Sequence, residues 1–130
     1  MSSPSATGAP DYRAMTQGVT AQLGSFRAGV PEVSKGFAEL GRAAMAGGVI
    51  DRKTKELIAV ALSVAARCDP CIGYHVQAAV KLGATRQELD ETLGVAVYMG
   101  GGPSLMYTAM AISAYDEFSN PPPPAGSVSA

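Results

Sequence analysis

Two cysteines and one histidine stand close together in the sequence and could carry out thiol chemistry. Cys68 and Cys71 form the C-x-x-C segment Cys68-Asp69-Pro70-Cys71, and His75 is the only histidine of the chain. Cys71 and His75 are four residues apart, so on a helix they share one face, about 6 Å apart along the axis. A thiol in the first turn of that helix is expected to ionise readily, because the positive end of the helix dipole stabilises a thiolate. The imidazole can accept or return the proton near neutral pH.

The second thiol would allow the pair to complete a redox cycle. A cysteine three residues away can convert a sulfenic acid or a mixed disulfide into an intramolecular disulfide. A purely structural disulfide is disfavoured, because closing so short a loop stabilises a fold by only about 2 kcal/mol. A cytoplasmic protein also tends to keep such thiols reduced.

Two other interpretations of the same residues stay open. One is a pair of inert buried cysteines. The other is a zinc site in which Cys68, Cys71, His75 and Glu56 supply four ligands. Structural zinc usually takes its second ligand pair from a distant segment, and the sequence has no further cysteine or histidine. The zinc interpretation is therefore disfavoured, and the inert pair is disfavoured to a similar degree, because a C-x-x-C segment with a cap, a proline and a nearby histidine is unusual for inert cysteines.

Glu56 is the fourth residue of interest, and its spacing alone does not connect it to the others. A carboxylate in the first turn of a helix is ordinarily explained by its favourable interaction with the helix dipole. On a straight helix Glu56 lies about 18 Å from Cys68, so a simple hairpin is not expected to bring it to His75. A close helix crossing, a bridging water or a neighbouring subunit would be needed.

The elements that must position these residues are helices. Apolar residues recur at helical spacing through most of the chain, and no stretch alternates as a β-strand would. The sequence therefore predicts an all-α domain of about six helices at residues 11–118. It also predicts disordered tails at residues 1–10 and 119–130, the second of which contains four consecutive prolines.

Capping residues predict several of the helix boundaries. Asp51 suits the N-cap of a third helix, whose run LIAVALSVAA is apolar on every face and predicts a place at the centre of a bundle. Asp69 is predicted to cap the fourth helix, with Pro70 at its first position. Thr85 and Glu88 form a capping box for a fifth helix, and three glycines separate that helix from a sixth.

Composition excludes several classes of function. The chain has 130 residues, with 10 Lys and Arg against 11 Asp and Glu, which argues against a nucleic-acid or anionic-membrane binder. The uncharged stretch at 92–115 is broken by glycines, and the N-terminus has no pattern of a signal peptide, so we expect a cytoplasmic protein without a membrane span. Charged residues make up only 16% of the chain. Part of its apolar surface is therefore expected to be buried between subunits.

The segment from Glu56 to His75 resembles the signature of a known protein family. Glu56, eleven further residues and then CDPCIGYH are similar to the E-x11-C-x-x-C-x-x-x-H motif of the alkylhydroperoxidase D (AhpD)-like proteins. These proteins belong to the carboxymuconolactone decarboxylase superfamily. The segments KELIAVALSVAARCDPC, KLGAT with the following EL, and GGGP also fit the family's layout, so the resemblance covers about half of the chain.

The resemblance implies a fold, an activity and partners. The fold would be an AhpD-like helical bundle that assembles as a homotrimer or homohexamer. The activity would be that of a thiol-dependent peroxidase or disulfide reductase, with no cofactor and no metal. Cys68 and Cys71 would reduce a hydroperoxide or a partner's disulfide, while His75 and Glu56 would relay protons. A lipoyl-bearing or other dithiol protein would reduce the pair again, and a peroxiredoxin is a further expected partner.

One departure from the family pattern concerns the proton relay. The best-known AhpD has a further histidine directly before the second cysteine, where this chain has Pro70. The relay is therefore expected to be shorter, and the substrate to differ. Lactone-decarboxylating relatives lack the cysteine pair, which leaves decarboxylation as a disfavoured alternative beside a non-enzymatic metal-binding oligomer. The place of Cys71 in the helix, with His75 beside it, slightly favours Cys71 as the attacking thiol, while a thioredoxin-like order, in which the first cysteine attacks, would make it Cys68.

Overall fold

The protein is built from six α-helices. The computed structural model describes residues 7–120, and no β-strand occurs within that range, which confirms the all-α prediction. In chain order the helices are α1 (Tyr12–Gly29), α2 (Pro31–Met45), α3 (Arg52–Ala65), α4 (Asp69–Lys81), α5 (Arg86–Gly100) and α6 (Gly102–Ser119). Most of the two predicted tails lies outside the described residues. Ala9 nevertheless packs against the core, although α1 starts only at Tyr12, and α6 continues to Ser119, one residue into the segment predicted to be a tail.

Local hydrogen bonds define the starts of α3 and α5. Asp51 caps α3 as predicted, because its carboxylate accepts the backbone N–H of Thr54 at 2.7 Å. The predicted capping box at the start of α5 is also confirmed. The backbone N–H of Glu88 donates to the Thr85 hydroxyl, and the backbone N–H of Thr85 donates to the Glu88 carboxylate. Each of these helix starts depends on residues within three positions of one another.

The hydrophobic core lies where α3 and α4 pack against α5 and α6. The prediction that α3 is central is correct for one of its faces only, since Ile58 and Leu62 on the opposite side remain exposed. Buried apolar side chains of the core come from α1, α3, α4, α5 and α6 and from the loop before α5. They are Tyr12, Leu57, Val60, Val64, Ile72, Val76, Ala79, Ala84, Leu89, Leu93, Ala96, Ala111 and Ala114.

The helix α2 lies outside this core. None of its residues is buried, and its apolar side chains Val33, Phe37 and Leu40 are largely exposed, Phe37 by 75%. The end of α1 is similar, because Leu23 and Phe26 are exposed although the start of the helix is buried. The apolar residues of α1 and α2 therefore recur at helical spacing, as predicted for most of the chain, but a single chain covers only those at the beginning of α1.

The uncharged stretch at 92–115 is divided between α5 and α6. Gly101, with φ of +73°, occupies a left-handed conformation that lets the chain turn directly from one helix into the next. No helix within residues 7–120 combines the length and the apolar character needed to cross a membrane.

Candidate redox site

A tight turn between α3 and α4 places the cysteine pair. Arg67 adopts a left-handed conformation with φ of +56°. Its backbone N–H donates to the Val64 carbonyl, and the backbone N–H of Cys68 donates to the Ser63 carbonyl at 3.0 Å. These two bonds form a Schellman motif, which satisfies the last carbonyls of α3 and reverses the chain at once. The turn therefore places Cys68 directly at the start of α4.

Cys68, and not Asp69, is the N-cap of α4. The Cys68 sulfur accepts the backbone N–H of Cys71 at 3.3 Å, and Asp69 is already the first helical residue. The prediction that Asp69 caps this helix is wrong, because the left-handed turn at Arg67 starts the helix one residue earlier than Pro70 suggested. The predicted place of Cys71 in the first turn is correct.

The two cysteines are joined by a disulfide bond. Their Cα atoms are 5.2 Å apart, and both residues are partly exposed. The structure thus shows the oxidised state of the pair, and the expectation that a cytoplasmic chain keeps these thiols reduced stays a prediction. Both cysteines belong to the start of α4, Cys68 as its N-cap and Cys71 in its first turn, so the disulfide joins residues that the helix already places close together.

His75 and Glu56 form a direct hydrogen bond. The Nδ1–H of His75 donates to Glu56 Oε2 at 2.8 Å, with the carboxylate as acceptor. The His75 side chain is 36% exposed and that of Glu56 only 12%. With Nδ1 carrying a proton towards Glu56, Nε2 is the ring atom free to take up or release a second proton.

The expectation that a simple hairpin cannot join these two residues is wrong. The distance of Glu56 from the end of α3 is largely cancelled by the distance of His75 from the start of α4, because α4 runs back along α3. Glu56 lies nine residues before the end of α3, about 13.5 Å along the axis, and His75 lies six residues after the start of α4, about 9 Å back along it. The two side chains span the remaining few ångströms. Neither a bridging water nor a second subunit is needed for the contact.

The structure adds Tyr12, a residue that no sequence pattern singles out, to the surroundings of the cysteine pair. The hydroxyl of Tyr12, at the start of α1, donates to Asp69 Oδ1 at 2.9 Å. Tyr12 is completely buried, and 57 positions separate it from Asp69. No spacing rule connects residues so far apart, so only the packing of α1 on α4 reveals the contact.

A separate groove lies between α1 and α4. It is lined by residues that include Arg13, Thr20, Tyr74 and Gln77, and none of the four predicted site residues lines it. The Tyr74 hydroxyl lies 2.5 Å from the Thr20 hydroxyl and donates to the Thr16 carbonyl. Tyr74 therefore connects α4 to α1 through hydrogen bonds next to this groove.

The structure does not group the residues considered for the zinc interpretation around one point. Within residues 7–120, no three side chains of His, Cys, Asp or Glu are grouped as ligands for one metal ion. The four residues considered for zinc form two separate pairs, the Cys68–Cys71 disulfide and the His75–Glu56 hydrogen bond.

Sequence comparison identifies relatives over most of the chain. Residues 31–114 match the carboxymuconolactone decarboxylase family. An uncharacterised protein from Cupriavidus necator is 35% identical over 106 residues, which cover 82% of this chain and 94% of the relative. The uncharacterised protein 4 of the cox locus from Paracoccus denitrificans is 33% identical over 98 residues, covering 75% of this chain and 88% of the relative.

Solved structures of similar proteins share the fold. The apo crystal structure of a carboxymuconolactone decarboxylase family protein from Legionella pneumophila has a TM-score of 0.82 and 57% identity, over 84% of this chain and 97% of that one. A family protein from Thermotoga maritima gives a TM-score of 0.68 and 29% identity, over 83% of this chain and 89% of that one. Motif, fold and sequence agree, and the chain belongs to the carboxymuconolactone decarboxylase family.

Proposed function

We propose that this protein is a thiol-dependent oxidoreductase of AhpD-like type, which reduces a hydroperoxide or a partner's disulfide. The observation that carries the proposal is the direct bond between His75 and Glu56, with His75 one helical turn after Cys71 of the bonded cysteine pair. A largely buried carboxylate that orients an imidazole one helical turn from a cysteine is the arrangement expected of an activated nucleophile. Membership in the carboxymuconolactone decarboxylase family is consistent with it.

The proposed peroxide reaction consumes two thiols. Nε2 of His75 accepts the proton of the Cys71 thiol, and the thiolate attacks the terminal oxygen of the hydroperoxide. The O–O bond breaks, the departing alkoxide takes the proton back from His75, and Cys71 becomes a sulfenic acid. The Cys68 thiol then attacks the Cys71 sulfur, and water leaves as the disulfide forms. The net change is one hydroperoxide and two thiols converted to an alcohol, water and a disulfide.

Glu56 and the start of α4 support this reaction in different ways. Glu56 accepts the Nδ1 proton of His75, which fixes the ring and stabilises the imidazolium that forms when Nε2 is protonated. The Cys71 backbone N–H that now contacts the Cys68 sulfur belongs to the free N-terminal groups of the helix, which favour negative charge on sulfur. The proposed relay is shorter than that of the best-known AhpD, because Pro70 has no side-chain proton that it could transfer.

The oxidised pair needs a reductant to complete the cycle. A lipoyl-bearing or other dithiol protein is the proposed donor, because a dithiol can open the mixed disulfide that it first forms. A peroxiredoxin is proposed as a client whose disulfide the pair reduces. The Thermotoga maritima relative is described as a candidate for the antioxidative response, in agreement with this chemistry.

Counting thiols tests the proposal directly. Freshly reduced protein is treated with one equivalent of an alkyl hydroperoxide, and free thiols and bound metal are measured on the same sample. We expect the loss of two thiols per chain, recovery of both with dihydrolipoamide, and no bound metal. The Cys68→Ser variant serves as the matched control, since it can form a sulfenic acid but no intramolecular disulfide.

Two outcomes would overturn the proposal. Thiols that do not react, in a protein that acts on a lactone, would assign decarboxylation to the site. One zinc ion per chain, removable only with loss of the fold, would assign the four residues to metal binding.

A further inference from the structure

The carboxylate between the two cysteines is held by a buried tyrosine. Asp69 follows Cys68 directly and precedes Cys71 by two residues, so this charged residue is a close sequence neighbour of both cysteines. Its Oδ1 accepts the Tyr12 hydroxyl at 2.9 Å, and the tyrosine side chain is completely buried. Asp69 is therefore fixed from outside the segment that contains the cysteines.

Two further features keep Tyr12 in place. The Glu117 carboxylate of α6 accepts the backbone N–H groups of Tyr12 and Arg13, at 2.9 and 3.0 Å, and so holds the first turn of α1. Gly73 of α4 allows close approach, because a Cβ atom there would lie 3.3 Å from the Tyr12 ring and 2.7 Å from the Thr16 methyl group. The hydroxyl reaches Asp69 because α1 is held at this short distance from α4.

The geometry points to Tyr12 as a positioning residue that sets the redox balance of the Cys68–Cys71 pair by restraining the Asp69 carboxylate. This inference rests on the proposed redox function of the pair. It assigns a role to the start of α1, which contributes none of the four proposed catalytic residues.

The physical reason is the charge of Asp69. A free carboxylate beside a thiolate disfavours the ionised sulfur, since like charges a few ångströms apart repel. The Tyr12 hydroxyl donates to the carboxylate and stabilises its negative charge, so that charge acts less strongly on the neighbouring sulfurs. Burial raises the pKa of Tyr12, and the hydrogen bond to Asp69 raises it further, so the hydroxyl remains a donor at any working pH. Loss of the hydroxyl would leave the charge of the carboxylate unrestrained. The thiolate, and with it the reduced pair, would then be less stable, which favours the disulfide.

Equilibration with glutathione measures this effect. In that reaction the dithiol and oxidised glutathione yield the protein disulfide and two molecules of reduced glutathione. For Tyr12→Phe we expect the equilibrium constant for oxidation to rise by about three- to tenfold. The matched control is Tyr115→Phe, because the Tyr115 hydroxyl donates to the Ala84 carbonyl, away from the cysteines. This control should leave the constant unchanged within about twofold.

A double-mutant cycle separates positioning from a general loss of stability. Asp69→Asn removes the charge, so it should lower the equilibrium constant for oxidation, and adding Tyr12→Phe to it should then change the constant by less than about twofold. The inference is overturned if Tyr12→Phe behaves like Tyr115→Phe, or if its effect is equally large with Asn at position 69. If the Tyr12→Phe variant does not fold, Asp69→Asn alone tests the inference. An unchanged equilibrium constant for oxidation in Asp69→Asn would overturn the inference, and a lowered constant would support it.

The result is independent of the peroxidase assay. Glutathione equilibrium can be measured whether or not the wild-type protein reduces hydroperoxides. Failure of the wild-type pair to react with hydroperoxide or a protein disulfide removes the proposed function, whereas failure of the Tyr12→Phe shift removes only the positioning role.

Discussion

At the scale of single residues, the proposed function depends on the hydrogen bond between Glu56 and His75, which orients the imidazole. Replacing Glu56 by Gln keeps a side chain of the same shape but removes the charge that stabilises the imidazolium. We expect thiol-dependent hydroperoxide reduction to slow by about 10- to 100-fold, as for other residues that orient a reacting side chain. Replacing His75 should slow it by about 10²- to 10⁴-fold, the usual contribution of a general acid–base group.

The matched control for Glu56 is Glu91→Gln on the exposed face of α5. It also removes one negative charge from the chain, so it corrects for any effect of net charge on substrate encounter. Equal rates for the Glu56→Gln and Glu91→Gln variants, measured under the same conditions, would show that Glu56 only supports the structure.

The order in which the two cysteines react is also a residue-level question. His75 lies one turn after Cys71, whereas the Cys71 backbone N–H contacts the Cys68 sulfur. If Cys71 attacks first, the Cys68→Ser variant accumulates a sulfenic acid at Cys71 after one equivalent of hydroperoxide, and the Cys71→Ser variant does not. A sulfenic-acid-specific label and mass spectrometry read out the difference. A labelled Cys68 in the Cys71→Ser variant would reverse the assignment.

At the scale of the helices, the approach of α1 to α4 depends on the absence of a side chain at Gly73. A methyl group there would lie 2.7 Å from the Thr16 methyl carbon, so α1 would have to move away. We expect Gly73→Ala to lower the free energy of unfolding by about 1–3 kcal/mol, the usual cost of overpacking. Chemical denaturation measures this change.

Gly94→Ala provides the comparison for Gly73→Ala. Gly94 lies on the exposed side of α5, and no atom would come within 4 Å of a Cβ there. Since alanine favours the helix more than glycine, this variant should gain up to about 1 kcal/mol of stability. A stabilising effect of both substitutions would show that the α1–α4 contact tolerates a side chain.

The helices also show which parts of the structure can be predicted from the sequence. The caps at Asp51 and Thr85 were predictable, because each donor and acceptor lies within three residues. The cap of α4 was not, because Arg67 adopts a left-handed conformation that local propensity disfavours.

The candidate site also contains contacts that the sequence predicts and contacts that depend on how the helices pack. The shared helix and short spacing of Cys71 and His75 follow directly from a 3.6-residue period. The contact of Glu56 with His75 depends on the relative positions of two helices, and the family motif indicated it when spacing did not. Nothing in the sequence indicated Tyr12, because its partner is brought near only when α1 packs on α4.

At the scale of the whole molecule, the exposed apolar surface is large for a chain with few charges. In addition to the α2 side chains, Leu62 of α3, Met99 of α5 and Met106 of α6 are more than half exposed. Monomeric proteins rarely leave extended apolar patches open to water. We propose from this surface that copies of this chain associate; the number of subunits, a homotrimer or homohexamer, is what the family resemblance implies.

The α2 face provides the sharpest test of that expectation. Phe37 contributes nothing to the core of the single chain, so Phe37→Glu should leave the fold intact while placing a charge in the centre of the apolar face. If α2 is buried between subunits, burying that unpaired charge costs several kcal/mol, and the assembly should dissociate. Mass measurement in solution by light scattering, with circular dichroism to verify helicity, distinguishes the two effects.

Lys35→Glu is the control on the same helix, because it also introduces a carboxylate at an exposed position of α2 but replaces a residue that is already charged. It should leave the solution mass unchanged. The same mass for wild type and Phe37→Glu, whether monomeric or not, would place the subunit contact elsewhere or exclude it. Dissociation in Phe37→Glu alone would show that α2, which has no buried residue in the single chain, forms the contact between subunits.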